Sequence, residues 1–261
     1  MASTSWDPNQ YLRFAAERTR PCRDLLARLE MPCVHRVADL GCGPGNSTGL
    51  LAERWPGAEI IGVDNSSEMI AAARKERPAV RWIMEDITQW AATSDPKFDV
   101  VFSNAALQWA GDHAELLPRL MTRVEPGGAM AFQVPCNFDA TAHLLMREIA
   151  ASPAWRKWFP EGALREWHVH DLAFYYDVLA PHARNVDLWE TEYIYVMPDA
   201  AAIVEWYKGS GMRPFLDVIE STQDRERFTA EYLELIRDAY PKRADGRVLF
   251  PFRRLFAIAS L

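Results

Sequence analysis

The stretch ADLGCGPGNST, residues 38–48, decides how the rest of the chain is read. Val34, Val37, Ala38 and Leu40 form a short apolar run with the acidic Asp39 near its end. Three glycines follow in five positions, then Asn46, Ser47 and Thr48, and then Leu50, Leu51 and Trp55 at helical spacing. That order predicts a buried strand, a glycine-rich turn and a helix opened by an Asn/Ser N-cap. Gly41, Gly43 and Gly45 allow a sharp turn and let a ligand lie directly against the backbone. The pattern is that of a loop for a nucleotide-type cofactor.

Charge narrows the cofactor. A phosphate-cradling loop needs a Lys and a hydroxyl at fixed spacing, and this loop has no such Lys. A dinucleotide places pyrophosphate over the turn, where a carboxylate two residues before the first glycine would repel it. Asp39 holds that position, and Asn46 replaces the third glycine of the dinucleotide spacing. S-adenosylmethionine (SAM) carries no phosphate but has an ammonium and a sulfonium, so an acidic, glycine-lined cradle of Asp39, Gly41, Cys42, Gly43 and Asn46 suits it.

Composition bounds the remaining classes. The chain has 261 residues, enough for one α/β domain with insertions, and 49% hydrophobic residues can bury a large core. A formal charge of −7 with acids and bases interspersed gives no basic footprint for a nucleic acid. The start, MASTSWDPNQ, has no basic and apolar leader, and no run approaches the ~18 apolar residues of a membrane span, which predicts a cytoplasmic chain with no membrane partner. Cys22, Cys33, Cys42 and Cys136 form no CxxC pair and read as reduced thiols. Ten tryptophans, most of them beyond residue 100, predict an aromatic-lined pocket or unusually bulky packing.

Before the loop, residues 9–29 carry helical periodicity, and Pro21 predicts two helical pieces with a joint near Arg20. The polar side, with Tyr11, Arg13, Arg18, Arg20 and Arg23, is either a solvated helix face or a lid over an anionic substrate. After it, strands are predicted at 34–40, 59–63, 80–84, 98–103, 129–134, 186–196 and 248–258. The second strand ends at Asp64, 23 positions after Gly41, near the spacing of about 20 at which an acidic residue reaches ribose hydroxyls. Asn65, Ser66 and Ser67 cap the next helix, with Met69 placed to lie against the ligand. The third strand ends at Glu85-Asp86, followed by Ile87. A charged strand end is common in α/β proteins, yet three successive strands ending in carboxylates at one sheet edge favour a ligand there. Asn104 and Ala105 continue that edge after the fourth strand. Gln108 and Trp109 follow where a substrate would meet the cofactor, and the Pro-Pro-aromatic segment that grips planar amides is absent. Asp112 and Glu115 have capping-box spacing for a helix to Val124, kinked at Pro118. Pro126-Gly127-Gly128 then predicts a turn into the fifth strand. From 137 the rhythm becomes helical and aromatic, so the chain is expected to form a single domain with an N-terminal lid at about 6–30 and helical cap inserts at about 137–182 and 199–240.

These residues resemble the class I SAM-dependent methyltransferases, whose fold is a Rossmann-like α/β seven-stranded, mostly parallel sheet with the last strand antiparallel. The match rests on the glycine loop, Asp64, Glu85-Asp86 and the turn at 126–128. More closely, WDPNQYLRFAAERTRP (6–21), NAALQW (104–109), Met146-Arg147-Glu148, AFYYDV (173–178) and Arg254-Leu255-Phe256 resemble the branch that methylates small polycarboxylic acids such as trans-aconitate. Carboxyl methyltransferases that act on malonyl carrier proteins in biotin synthesis share part of the pattern but differ around Ala16–Pro21.

The resemblance implies methyl transfer from SAM, leaving S-adenosylhomocysteine, to a carboxylate that is already ionised and needs no general base. No metal is expected, and no side chain is expected to act as a chemical catalyst. The non-reacting carboxylates need Arg forks and Tyr or Trp donors. The candidates are Tyr11, Arg18 and Arg20 on the lid, Gln108 and Trp109 in the fourth-strand loop, and Tyr195, Trp206 and Arg213 from the cap. Each arginine also reads as a surface charge or core ion pair; Arg254 reads as structural. The alternative class is a SAM-binding protein without turnover. The oligomeric state is left open, and a monomer is compatible with this chemistry.

Overall fold

The apolar run before the glycine loop forms β1, Arg36–Leu40. Its sheet is seven-stranded in a computed structural model that describes residues 14–93, 96–164 and 166–261. The other strands are β2 (Glu59–Asp64), β3 (Arg81–Met84), β4 (Phe98–Asn104), β5 (Val124–Pro135), β6 (Asn185–Met197) and β7 (Val248–Ser260). Their spatial order is β3-β2-β1-β4-β5-β7-β6. β1 pairs in parallel with β2 and β4, β2 with β3, and β4 with β5, whereas β7 runs antiparallel to β5. Val37, Ala38, Val100, Val101 and Phe102 are all buried, as expected of parallel strands covered on both faces.

Between and beyond the strands lie α1 (Ala15–Arg28), α2 (Asn46–Arg54), α3 (Ser67–Glu76), α4 (Ile87–Ala91), α5 (His113–Met121), α6 (Thr141–Ala151), α7 (Leu172–Leu179), α8 (Ala200–Lys208), α9 (Arg213–Val218) and α10 (Thr222–Ala239). The chain divides into two compact units. The larger holds Ala15–Pro135, Trp167–Thr191 and Arg254–Leu261; the smaller holds Phe14, Cys136–Glu166 and Glu192–Arg253 among the described residues. Tyr11 and the rest of the lid before Phe14 lie outside the described residues.

Four expectations are corrected. α1 runs unbroken through Pro21: the ring removes one backbone donor, and the buried Cys22, Leu25 and Leu26 supply apolar burial that offsets it. α2 is not capped by Asn46 or Ser47; Gly45, at φ 93°, is its N-cap and gives no side-chain bond. The turn at Pro126-Gly127-Gly128 lies inside β5 as an irregularity, where the pairing with β4 shifts register between Phe98 and Val100. Among the described residues, the insert near 137–182 is α-helical only at α6 and α7, with a short 3-10 turn at Ala180–His182; Pro153, Pro160 and Gly162 fall in the turns and irregular backbone between α6 and α7.

A buried arginine closes the larger unit at the amino ends of β4 and β5. Arg123 is 1% exposed and donates to the carbonyls of Pro96 (2.9 Å from Nη2), Trp90 (2.9 Å) and Thr93 (2.7 Å), and to the Thr93 hydroxyl. Its guanidinium lies 4.0 Å over the Trp90 ring. A lysine cannot reproduce that planar fork. Arg123→Lys is expected to lower unfolding free energy by ~2–4 kcal/mol in urea titrations, since several buried acceptors lose charged donors; a loss under ~0.5 kcal/mol would show the fork to be dispensable.

The smaller unit is packed with aromatic rings. Trp155, Phe159, Phe215 and Phe228 meet edge to face, tilted or stacked, and the Trp155 indole donates to Glu231 at 2.6 Å. Trp206 packs against Tyr195, Phe250 and Phe252 with ring centroids 5.0–5.9 Å apart. Much of the tryptophan excess is therefore bulky core packing.

Candidate active site

The carboxyl ends of the strands are joined by a chain of contacts that follows the sheet order. At the β3–β2 step, Asn65 donates to Asp86 Oδ2 at 3.1 Å, while Asp86 Oδ1 caps α4 through Thr88 N–H at 2.8 Å. At the β2–β1 step, Asp64 Oδ2 accepts from Gly43 N–H and Oδ1 from Ser66 N–H, both at 2.9 Å. One carboxylate thus ties the glycine loop to the start of the next helix segment. Burial raises the Asp64 pKa above the ordinary value, and its backbone donors pull it back.

At the β1–β4 step the loops touch. A Cβ on Gly41 (φ 68°) would lie 2.1 Å from Ala106 Cβ and 3.6 Å from Ile87 Cδ1. Gly43 (φ 54°) is the opposite case: a Cβ there would meet nothing within 4 Å, so open space faces the backbone beside Asp64. At the β4–β5 step, Asn104 Oδ1 accepts from Gln133 at 2.7 Å, and Gln133 in turn accepts from Arg254 on β7 at 3.0 Å.

Asp39 lies beneath the loop rather than in it. It is fully buried and accepts from the hydroxyls of Ser47 (2.8 Å) and Thr48 (2.6 Å), while Oδ1 has no partner among the described residues. Burial pushes its pKa up to about 6. The hydroxyls that the sequence predicts near a cap thus lock the helix start onto the strand end. Cys42 is buried beside Trp82, Ile70 and Ala73, and burial pushes its thiol up, so it packs rather than reacts. Met69 is buried and Asn46 partly so; Glu85 is partly exposed, and its N–H bonds the Asp64 carbonyl at 3.1 Å.

Ala105 is held in an unusual conformation. Its φ is 55°, its N–H donates to the Gln133 carbonyl at 2.9 Å, and its carbonyl accepts from the Gln108 side chain at 2.7 Å. Gln108 is therefore turned into its own loop as a brace. Trp109 lies 6.0 Å from Trp167, and His168 N–H bonds the Gln108 carbonyl at 2.9 Å, so residues 167–168 are laid against the β4 loop. His113 stabilises this loop from behind. Its Nε2 faces the Leu107 carbonyl at 2.9 Å, which can only accept, so Nδ1 accepts from the Tyr175 hydroxyl at 3.0 Å. Burial lowers its pKa, consistent with a neutral ring.

Of the expected acid-binding residues, Arg18 is buried in α1 and Arg20 exposed on it, in the same unit as Gln108 and Trp109. Tyr195, Trp206 and Arg213 belong to the smaller unit, the first two buried in its aromatic core and the third at the start of α9. A cavity of about 590 Å³ in the smaller unit, lined in part by Asn137, Tyr240, Arg243 and Arg253, includes none of the expected residues. Among the described residues, no helix is long and apolar enough to cross a membrane, and no group of three His, Cys, Asp or Glu is placed to hold a metal. The residues missed from sequence are Gln133, Trp167 and the His113–Tyr175 pair.

Comparison with solved structures places this architecture. The YcgJ protein from Bacillus subtilis superposes with a TM-score of 0.57 at 15% identity, over 94% of this chain and 97% of that one. Haemonchus contortus phosphoethanolamine N-methyltransferase 2, in complex with phosphomonomethylethanolamine and S-adenosylhomocysteine, gives 0.56 at 18% identity, over 92% of this chain and 52% of that one. A family model described as a methyltransferase domain matches residues 37–128. The fold is that of the class I SAM-dependent methyltransferases.

Closer relatives narrow the class. Trans-aconitate 2-methyltransferase of Azoarcus sp. (strain BH72) is 49% identical over 255 residues, and that of Acidovorax ebreus (strain TPSY) 48% over 255 residues, each alignment covering 98% of both chains. The chain belongs to the trans-aconitate 2-methyltransferase family.

Proposed function

We propose that this chain transfers a methyl group from SAM to a carboxylate of trans-aconitate, forming a methyl ester in the cytoplasm without nucleic-acid or membrane partners. The observation that carries the reading is the strand-edge chain from Asp86 to Asn104, with open backbone at Gly43 beside the Asp64 carboxylate. Family membership over nearly the whole length supports the acid, and four free cysteines fit a reducing compartment.

The residues present fit SAM. Asp64 has two oxygens for the vicinal ribose hydroxyls, Asp86 and Glu85 offer acceptors to an adenine amine, and the bare Gly43 backbone admits close approach. Bound there, SAM supplies an electrophilic methyl on a sulfonium. Asn65, Met69, Ile87, Asn104 and Ala105 border the same edge. The chain's own task is then to hold a carboxylate oxygen in line and exclude water, which can supply ~7–11 kcal/mol of barrier lowering. An aconitate carboxylate is ionised at neutral pH, so no proton need be removed. Arg18, Arg20 and Trp109 of the larger unit, with Tyr11 from the segment before Phe14 and Arg213 of the smaller unit, are the proposed anchors for non-reacting carboxylates; the proposed lid is about 6–30 and the proposed cap inserts about 137–182 and 199–240. Tyr195 and Trp206, buried in the aromatic core of the smaller unit, are the further proposed acid-binding residues. The test is turnover across a panel of trans-aconitate, related tricarboxylic acids and malonyl carrier-protein thioesters. Trans-aconitate is expected to give the highest kcat/KM, and preference for the thioester would overturn the assignment.

A pH dependence follows from Asp39. Its folded pKa, raised to about 6, lies above the ordinary carboxylate value, so the ligand-free protein takes up a proton as pH falls through 6. That proton stabilises the fold at low pH, and its contribution is lost as pH rises through 6. Cationic SAM favours the ionised form, so SAM affinity is expected to rise through pH 6 and level off above it. Calorimetry from pH 5 to 8 should show this step in the wild type and not in Asp39→Asn; an identical step in both would assign it elsewhere.

A further inference from the structure

The far end of the strand-edge chain, Arg254–Gln133–Asn104, has a direction built into it. Arg254 is 4% exposed and Gln133 fully buried. Arg254 Nη1 donates to Gln133 Oε1 at 3.0 Å, and Gln133 Nε2 donates to Asn104 Oδ1 at 2.7 Å. A guanidinium only donates and stays charged at every accessible pH, so it fixes the Gln133 amide with its oxygen toward β7. The Gln133 NH₂ must then face Asn104, which answers with its carbonyl. The polarity set at β7 thus passes through β5 to β4 and leaves the Asn104 NH₂ as the group not used by the fold. Asn104 is only partly buried, and its NH₂ has no hydrogen-bond partner among the described residues. The next residue, Ala105, is fixed by the Gln133 backbone carbonyl, so the same strand sets both the position and the polarity of this corner.

We propose that Arg254 and Gln133 are positioning residues that hold Asn104 as a hydrogen-bond donor to a carboxylate oxygen of a bound ligand. The inference rests on the carboxyl-methylation reading of the site. Two carboxylates meet this chemistry: the methionyl carboxylate of SAM and a non-reacting carboxylate of the acid. Reversing the amide would turn a carbonyl oxygen toward an anion, replacing attraction by repulsion.

Gln133→Glu makes that reversal with almost no change of shape. The introduced carboxylate still accepts from Arg254 but can no longer donate, so Asn104 turns its NH₂ inward and its carbonyl outward. Thermal melting, calorimetry with S-adenosylhomocysteine and steady-state kinetics on trans-aconitate read the result. A folded variant with Tm near wild type is expected to show at least a tenfold rise in one constant. A raised S-adenosylhomocysteine Kd identifies the cofactor carboxylate, and a raised acid KM with unchanged Kd identifies the acid. Arg254→Lys, which keeps a cation, should restore near wild-type values where Arg254→Met does not. Both constants within twofold of wild type in folded Gln133→Glu would overturn the proposal. Should that variant not fold, Asn104→Asp decides on the same readouts, a change below twofold again overturning it. The wild type run alongside tests the functional reading separately: binding and turnover there with unchanged variants refute the relay alone, and a wild type that binds neither ligand refutes both.

Discussion

Gly41→Ala is expected to destabilise the protein by ~2–5 kcal/mol and to abolish measurable cofactor binding. Two independent costs meet at this residue. A φ of 68° is left-handed backbone, which costs an alanine ~1–2 kcal/mol. The new Cβ would also lie 2.1 Å from Ala106 Cβ, far inside contact distance, and overpacking of this kind costs ~1–3 kcal/mol. Relief must come from the β4 loop, but Ala105 is pinned by Gln133 on one side and Gln108 on the other. The site therefore distorts before the clash relaxes. Denaturant unfolding checks the stability, and a double variant separates the costs: Gly41→Ala with Ala106→Gly should regain the packing part and not the backbone part. Gly43→Ala is the control. Its Cβ would enter open space, so ~1 kcal/mol of backbone strain is expected together with at least a tenfold loss of SAM affinity. Equal stability losses in the two variants would contradict the contact between the β1 and β4 loops.

The second large effect belongs to Asp64. Asp64→Ala is expected to raise the SAM Kd between ~100-fold and ~10,000-fold, since each hydrogen bond to a charged group is worth ~1.5–3 kcal/mol and the ribose offers two hydroxyls. The same carboxylate holds Gly43 N–H and Ser66 N–H, so the substitution should also lower stability by ~1–3 kcal/mol. Asp64→Asn keeps one carbonyl acceptor and should recover part of that stability while leaving affinity low, because the amide nitrogen faces a donor. Calorimetry with SAM on both variants measures the split. Affinity within twofold of wild type would remove Asp64 from the cofactor site.

Much of this edge is legible in the sequence because it is made of local patterns. Apolar runs ending in Asp64 and Glu85-Asp86 place carboxylates at strand ends by periodicity alone. Asp112, Ser66 and Asp86 act as N-caps at positions the residue types announce. The helix after the glycine loop defeats that logic. Ser47 and Thr48 are strong cap residues, but the buried Asp39 across the turn competes for their hydroxyls and leaves the cap to Gly45. The breakers Pro153, Pro160 and Gly162 are present in the sequence, yet the aromatic rhythm around them reads as helix; tertiary packing of Trp155 and Phe159 accounts for those rings without one. The Arg254–Gln133 bond joins residues 121 positions apart, on antiparallel neighbours, and no local pattern announces it. Tyr195 and Trp206 are buried among other rings of the smaller unit, and residue type alone does not announce that burial.

Methyl transfer to a carboxylate forms an ester, and sensitivity to alkali distinguishes an ester from a methylated ether or amine. The protein is incubated with methyl-labelled SAM and trans-aconitate, and the product is treated with mild alkali. One labelled methyl per acid molecule, released as methanol by base and absent without the acid, is the expected result. No transfer above that of heat-denatured protein, or a label that resists alkali, would contradict it.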